Sequence, residues 1–554
     1  MRLFTRLAWT FFVPLSEAYS SPFDPREATV STIHHALFSG ATTCRDVVSS
    51  FIARIEAYNP LINAIITLNP EALQIADVLD ASLASGNTTG SLFCVPILLK
   101  DNFDALPMPT TGGSLALKSS VPLQDGPTVL AFRRAGAVVL GKTNLHELAL
   151  EGLGVSSLGG QTLNPYDFSR TAGGSSSGTG AAIAASFAVL GTGTDTVNSL
   201  RSPASANSLY SFRPTRGLIS RAGVIPVSHT QDTVGAIGRD LFDIATALTV
   251  MSSVGYDPAD NDTATIPPGT VGIDYTSFLS LNNPSDLSGI RLGVLEGFFN
   301  RTLSSETDPV NQVTDSAIEQ LRRQGATLIS INDTSIYNAT IILQLDVQQF
   351  EIRELLTDYL SSEGLSGQHP TSMADIFINN TSPPNFLVIP SQYNKIRSAL
   401  TSSTDDALYL ETQARIADLS RTLHETITSN QLDAIIYPEQ QNLVVKVGSP
   451  SQSGRNGILA ALTGSPVITM PIGFSPPGPS APIGVPIGLE LLGLPWSEGK
   501  LLRIAKGLDD RLHARRMPVT AGLHDMAEVT STYSAVPRIL PVDNIPLVYP
   551  LGRF

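Results

Sequence analysis

Apolar residues along the chain alternate between stretches with a helical period and short continuous runs. In residues 44–58 the apolar side chains recur at three- and four-residue spacing, which predicts an amphipathic helix. The same spacing and the same kind of short run recur in three helix–strand pairs: 127–135 with 137–140, 314–324 with 326–331, and 406–428 with 432–437. Helices that alternate with brief apolar strands predict an α/β fold with a central mixed β-sheet covered by helices on both faces.

The chain shows no linker that would divide it into separate domains. Its 554 residues would allow three or four domains by length alone. The polar segment 257–270 is typical of an exposed loop, and no internal repeat is visible. We therefore predict one large domain over residues 27–520, followed by a proline-rich tail over residues 521–554.

Composition and charge exclude several classes of protein. Charged residues make up 15% of the chain, against about 25% in average domains, while 42% of the residues are hydrophobic. This balance excludes a disordered chain. The net charge of −14, without a basic cluster, argues against a nucleic-acid partner. Since no apolar run reaches the ~20 residues that a bilayer requires, we expect no membrane span.

Cysteine and histidine are too sparse and scattered to predict a metal site. The two cysteines, Cys44 and Cys94, lie in apolar or helical contexts, where we expect free buried thiols rather than a disulfide. His146-Glu147 begins no H-E-x-x-H motif, because Leu-Ala-Leu follows. We predict no metal.

The first residues are typical of a secretory signal peptide. Arg2 and Arg6 precede an apolar run, and the small residues Ala18 and Ser20 follow it. We therefore predict a signal peptide over residues 1–20 and a secreted protein, with a cytoplasmic protein as the alternative. Seven N-x-S/T sequons give mild support, since such sites are glycosylated in exported proteins: Asn87, Asn261, Asn300, Asn332, Asn338, Asn379 and Asn380.

A serine- and glycine-rich segment over residues 171–180 is the most unusual stretch of the chain. A flexible linker is a poor explanation, because the segment runs directly into the apolar, helix-like residues 181–190. A phosphate loop would require a Gly-Lys-Ser/Thr that is absent. Gly174–Gly178 matches the G-x-S-x-G nucleophile elbow, but the residues before it are polar rather than an apolar strand.

Several ordered motifs together resemble the amidase signature family. They include residues 95–102, 173–176 and 193–204, and the likeness continues through 213–217, 232–235 and 433–438 to 463–466 and 486–490. The resemblance covers roughly residues 27–510. It implies a serine hydrolase that requires no cofactor and acts on a small-molecule amide. Assembly as a homodimer is left open.

The resemblance implies a Ser-cisSer-Lys triad on Ser199, Ser175 and Lys100. A serine hydroxyl needs a base to take its proton, and a lysine can serve if burial keeps its amine neutral. Ser175 would then relay the proton, and the Gly174–Ser175 peptide would be cis. Ser176 would hydrogen-bond to Lys100, with a helix N-cap as the alternative role.

The loop before the nucleophile would hold the oxyanion through the backbone of Thr196, Val197, Asn198 and Ser199. Valine and asparagine replace the Gly-Gly that is usual in the family, so the loop requires Val197 at negative φ. We expect the valine to add bulk beside the acyl group and change specificity. Asp195 and Arg201 would pair to support the loop, and Cys94, where the family usually has glycine, would be a small buried hydrophobe.

The function that follows is hydrolysis of a carboxylic amide through an acyl-serine intermediate. Two alternatives remain open at this stage. One is the glutaminase subunit of an amidotransferase, which has the same triad and works with partner chains. The other is a catalytically silent binding protein on the same fold. The acyl group is not specified by the motifs, and we expect the substrate channel within residues 145–165, 300–400 and 440–457.

Overall fold

A computed structural model describes residues 23–88, 90–280, 286–378, 386, 389–519, 523 and 533–538. The predicted signal peptide and most of the predicted tail lie outside the described residues. The helices are α1 Val30–Phe38, α2 Cys44–Ile62, α3 Ala72–Ala84, α4 Pro127–Arg134, α5 Ser177–Ala184, α6 Arg201–Ala206, α7 Leu241–Ser252, α8 Asp308–Arg323, α9 Ala339–Ile342, α10 Gln348–Ser361, α11 Met373–Phe377, α12 Pro390–Ala399, α13 Ala407–Ser429, α14 Ile458–Thr463 and α15 Glu498–Leu512.

The strands are β1 Ile65–Leu68, β2 Pro96–Lys100, β3 Val121–Pro122, β4 Val138–Thr143, β5 Val155–Ser156, β6 Gly160–Gln161, β7 Leu163–Asn164, β8 Asp167–Thr171, β9 Leu190–Asp195, β10 Tyr210–Arg213, β11 Thr233–Gly238, β12 Arg291–Leu295, β13 Thr327–Ile331, β14 Leu365–Ser366, β15 Ala434–Pro438, β16 Val467–Phe474 and β17 Pro486–Leu492. Eleven of them form one sheet in the order β1-β4-β2-β9-β11-β10-β16-β17-β15-β12-β13. The sheet is mixed, because β2 runs parallel to β4 and β9 while β9 and β11 are antiparallel.

Both faces of the sheet are buried. Ile435 and Ile436 follow each other in β15 and therefore point to opposite faces, and they belong to two different hydrophobic clusters. The cluster around Ile436 includes side chains of α8 and α15, and the cluster around Ile435 includes side chains of α13 and α14. The predicted α/β fold, with a mixed central sheet and helices on both faces, is confirmed.

The predicted helix at residues 44–58 is confirmed and extends to Ile62. Thr43 caps its amino terminus by accepting a hydrogen bond from the Asp46 amide, and Asn63 ends it in the left-handed region. The helix-like interpretation of residues 181–190 is correct only in part. Helix α5 ends at Ala184, because Ser186 adopts a positive φ of 59°, and the chain then enters β9 at Leu190.

The expectation of free thiols is wrong, because Cys44 and Cys94 form a disulfide. Cys44 begins α2, and Cys94 precedes β2 with a φ of 59°. The Cα atoms of the two residues lie 5.7 Å apart, within the usual range for a bridge. The packing of α2 beside β2 brings together two residues that are 50 positions apart in sequence.

Candidate active site

Lysine 100 and the serine-rich segment meet at one edge of the central sheet. Lys100 ends β2, and Thr194 lies near the end of the parallel neighbour β9, so the carboxyl ends of both strands reach the same edge. Ser175 approaches from the connection between β8 and α5. The Lys100 Nζ atom lies 2.8 Å from Ser175 Oγ and 2.7 Å from Thr194 Oγ1.

The amine of Lys100 lies in an environment that favours its neutral form. The side chain is completely buried, and this burial lowers its pKa to about 7, although the charges of Asp195 and Asp232 oppose the shift. A substantial fraction of the amine is therefore unprotonated at neutral pH, as a general base requires.

A backbone hydrogen bond connects the segment that contains Ser175 to Ser199. The Gly174–Ser175 peptide bond is cis, as the resemblance implied. The Ser175 carbonyl oxygen accepts a hydrogen bond from the His146 amide at 3.0 Å, and the Ser176 amide donates to the Ser199 carbonyl oxygen at 3.3 Å. Ser199 is 8% exposed, and its Oγ atom forms no hydrogen bond with any described residue.

The predicted hydrogen bond from Ser176 to Lys100 is replaced by a contact with β9. Ser176 Oγ lies 3.5 Å from the Thr194 carbonyl oxygen, and Thr194 Oγ1 provides the second partner of Lys100. Ser176 precedes α5 but makes no side-chain cap there. Gly193 permits this approach, because a Cβ atom at that position would lie 2.8 Å from Ser176 Oγ. Thr194 is thus a site residue that the sequence interpretation missed.

The nucleophile loop, residues 196–199, leaves backbone donors available. Val197 and Asn198 both keep negative φ, as the sequence required. Within the described residues, the N–H groups of Val197, Asn198 and Ser199 donate no hydrogen bond. Such a group of unpaired amides beside a serine can bind the oxyanion of a tetrahedral intermediate.

Side chains on both sides hold the nucleophile loop. Thr196 Oγ1 donates to Asp232 at 2.6 Å, and Asn198 Nδ2 donates to Glu439 at 3.2 Å. Val197 is 7% exposed and packs in the cluster that contains Ile435. Its side chain thus contributes to core packing, and its predicted position beside the acyl group stays a prediction.

A buried ionic network around Asp195 fixes the start of the loop. Arg201 binds Asp195 at 3.1 Å and Glu490 at 2.9 Å, and it also donates to the Val197 carbonyl oxygen. Arg213 donates to the same Asp195 carboxylate at 2.6 Å. Burial alone would raise the pKa of Asp195, but the two arginines lower it to about 2. The expected Asp195–Arg201 pair is therefore present within a larger network.

Comparisons with known proteins agree with this geometry. The family model named Amidase matches residues 46–502. The chain belongs to the amidase family. It is 33% identical to a probable amidase of Arabidopsis thaliana, over 90% of this chain and 93% of that protein. It is also 32% identical to a glutamyl-tRNA(Gln) amidotransferase subunit of Geobacter metallireducens, over 87% and 97% of the two chains.

A solved structure extends the similarity to the fold. Native peptide amidase from Stenotrophomonas maltophilia superposes on this amidase-family chain with a TM-score of 0.77 at 32% identity. The match covers 89% of this chain and 98% of the other. The fold and the family are therefore established.

One cavity lies against the candidate active site, and a second lies beside Leu150. One, of about 350 Å³, is lined by Thr194 and Thr196 together with residues 221–229. The other, of about 300 Å³, is lined by Leu150 and by side chains between residues 343 and 399. The second cavity falls in two of the segments that the sequence predicts for a substrate channel.

Neither a membrane span nor a metal cluster is present among the residues that the structure describes. None of the described helices has the length and hydropathy to cross a bilayer. Across the same residues, no three His, Cys, Asp or Glu side chains are grouped closely enough to hold a metal ion.

Proposed function

We propose that this protein hydrolyses a carboxylic amide to a carboxylic acid and an amine, with Ser199 as nucleophile. The observation that carries the proposal is the buried Lys100 amine 2.8 Å from Ser175 Oγ. A neutral amine in this position can accept the proton of Ser175 while Ser175 accepts the proton of Ser199. The family membership of the chain supports the same reaction.

The acylation half of the reaction follows from these positions. Ser199 Oγ attacks the amide carbonyl carbon, and its proton passes to Ser175 as the Ser175 proton passes to Lys100. The N–H groups of Val197, Asn198 and Ser199 stabilise the resulting oxyanion. When the carbon–nitrogen bond breaks, Ser175 gives a proton to the leaving amine and recovers one from Lys100.

Deacylation repeats these steps with water as the nucleophile. The water proton passes through Ser175 to Lys100, and the hydroxide attacks the acyl-Ser199 carbonyl carbon. The bond between that carbon and Ser199 Oγ then breaks, and the serine oxygen regains a proton from the same relay. A carboxylic acid leaves, and the resting protonation states are restored.

A fluorophosphonate probe, followed by peptide mapping, tests the nucleophile. We expect labelling of Ser199 in the wild type, no labelling of Ser199→Ala, and full labelling of the matched surface control Ser253→Ala. Turnover of a cleavable amide should disappear in Ser199→Ala. Labelling at another serine, or turnover that persists without Ser199, contradicts the proposal. A folded wild type that is never labelled favours the silent binding protein.

The amidotransferase alternative is supported by the 32% identity to the Geobacter metallireducens protein. It predicts glutaminase activity and co-purification with a second subunit, whereas an independent amidase requires neither. Activity of the purified single chain on non-glutamine amides would favour our proposal.

We also propose that the protein is exported. The Cys44–Cys94 disulfide supports this, because such bridges persist in oxidising compartments and are rare in the cytosol. The sequon residues Asn87, Asn261 and Asn332 are exposed to solvent. A drop in mass after treatment of the natively produced protein with an endoglycosidase is the expected result, and an unmodified reduced protein would contradict it.

A further inference from the structure

We propose that His146 and Gln392 form a polar subsite beside the triad that binds a second, internal amide group of the substrate. The preferred substrates would then be N-acyl amino-acid amides or short peptide amides rather than simple alkyl or aryl amides. This inference rests on the proposed function, because it describes what the same site recognises.

His146 contacts the Ser175 backbone, and Gln392 lines the 300 Å³ cavity. The His146 backbone amide donates to the Ser175 carbonyl oxygen at 3.0 Å, so the His146 backbone contacts a residue of the proton relay directly. Gln392 lies in the first turn of α12 and lines the cavity. Its side chain contacts the His146 ring, and this hydrogen-bonding contact raises the pKa of the imidazole.

The polar atoms of this pair are buried and are not all satisfied by hydrogen bonds within the protein. Both ring nitrogens of His146 and both amide atoms of Gln392 lack a hydrogen bond of standard geometry with any described residue, and the contact between the two side chains can pair only one atom of each. His146 is 0% exposed and Gln392 is 1% exposed. Buried polar atoms are normally paired, so the ring nitrogen and the amide atom that remain beyond this contact can take their partners from a ligand.

The electrostatics of the subsite favour an uncharged ligand. Burial lowers the pKa of His146 to about 4, although the charge of Glu151 opposes this shift, so the imidazole is neutral at pH 7. Glu151 is paired with Arg455 at 3.2 Å, and Lys395 is paired with Asp346 at 3.8 Å. Glu151 and Lys395 thus already have opposite partners, and Lys100, whose charge also acts on the imidazole, is neutral when it serves as the base, so the subsite then offers no unmatched charge to a carboxylate or an ammonium group.

An amide group matches the donors and acceptors that these side chains offer. A neutral imidazole has one donor and one acceptor nitrogen, and the glutamine amide has both an NH₂ and a carbonyl oxygen. A peptide unit presents one N–H and one C=O, which can pair with both side chains. The remaining cavity wall includes Leu343, Ile352 and Ile396, which would suit an apolar side chain of the substrate.

The test compares N-acetyl-leucinamide with a hydrocarbon isostere in which the internal –CO–NH– is replaced by –CH₂–CH₂–. We expect the wild type to show a kcat/KM at least about tenfold higher for the first compound, as one or two hydrogen bonds would give. Gln392→Leu and His146→Phe should each lower kcat/KM more for N-acetyl-leucinamide than for the isostere, and so remove most of this preference. The matched control Gln324→Leu removes a glutamine that bonds Gly507 in α15, and it should keep the preference. Equal losses on both compounds, or no preference in the wild type, overturn the inference.

A binding measurement separates this inference from the proposed reaction. Calorimetric titration of Ser199→Ala with N-acetyl-leucinamide requires no turnover. We expect Ser199→Ala to bind N-acetyl-leucinamide about tenfold more tightly than the double variant Ser199→Ala/Gln392→Leu does. Ser199→Ala should also bind N-acetyl-leucinamide more tightly than it binds the isostere. If the wild type cleaves neither compound but this pattern of binding holds, the reaction fails and the subsite stands. If both compounds are cleaved and bound equally, the subsite fails and the reaction stands.

Discussion

The side-chain amide of Asn198 donates to Glu439 Oε1 across 3.2 Å, which ties the residue before the nucleophile to a carboxyl group buried beneath the loop. Glu439 follows β15, and β17 carries Glu490, the partner of Arg201. Burial and the charge of Glu490 raise the pKa of Glu439 well above its usual value. Burial also raises the pKa of Glu490, but the directly bound Arg201 opposes that shift. We therefore assign the neutral, protonated form to Glu439 at pH 7, and the negative charge to Glu490.

This assignment predicts different results for two equivalent substitutions. Glu439→Gln replaces a neutral acid by a neutral amide and should change the free energy of unfolding by less than about 1 kcal/mol. Glu490→Gln removes the negative charge that is paired with the buried Arg201, and it should lower the free energy of unfolding by about 3–5 kcal/mol. Urea denaturation at pH 7 measures both variants. If Glu439→Gln is as damaging as Glu490→Gln, the assignment of charge is wrong.

The pH dependence of the reaction should report the titration of Lys100. Only the neutral amine can take a proton, so kcat/KM should fall as the pH decreases through about 7. Lys100→Ala should lower kcat/KM by about 10²–10⁴-fold at pH 7 and lose this dependence. The measurement is a pH–rate profile of both proteins with one amide. A wild-type profile that is flat between pH 6 and 8 would exclude Lys100 as the base.

The same lysine should make the folded state more stable at high pH. Its pKa is about 7 when folded and about 10.4 when unfolded, so the unfolded chain binds more protons between these values and stability rises with pH. Lys100→Met removes this penalty and should stabilise the protein by about 1–3 kcal/mol at pH 6, with the gain shrinking towards pH 10.

Thermal or urea denaturation at several pH values measures this effect. The exposed Lys118→Met serves as the control, and its difference from the wild type should not change with pH. A Lys100→Met variant whose stability relative to the wild type is independent of pH would contradict the lowered pKa.

The disulfide should stabilise the fold by restricting the unfolded chain. Cys44 and Cys94 are 50 residues apart, and closing a loop of that size is worth about 4 kcal/mol at most. The double variant Cys44→Ala/Cys94→Ala should therefore melt at a lower temperature than the wild type. Dithiothreitol should lower the melting temperature of the wild type and not of the variant. Equal sensitivity of both proteins to the reductant would indicate that the bridge does not form.

Local sequence patterns predicted individual helices and strands better than the contacts between them. The apolar periodicity of α2 and the continuous apolar run of β4 depend on neighbouring residues, and both elements were found where predicted. The disulfide depends on the packing of α2 beside the chain that enters β2. Neither cysteine differs locally from a small buried hydrophobe, so the pairing was missed.

The candidate site shows the same division. The ordered motifs located Lys100, Ser175 and Ser199, but Thr194 has the sequence context of an ordinary strand residue. Its contact with Lys100 arises only because β9 lies parallel to β2. The signal that could have found it is its position one residue before Asp195, at the end of a strand that enters the nucleophile loop.

The ionic network around Asp195 is built from residues other than those that line the 300 Å³ cavity. The network holds the nucleophile loop through residues of three strands of the central sheet and of helix α6: Asp195, Arg213, Glu490 and Arg201. The 300 Å³ cavity is built mainly by residues 343–399, which contribute no charge to that network. Mutations that reshape the cavity can therefore accumulate without disturbing the loop, so a new substrate preference can evolve on an unchanged chemical apparatus.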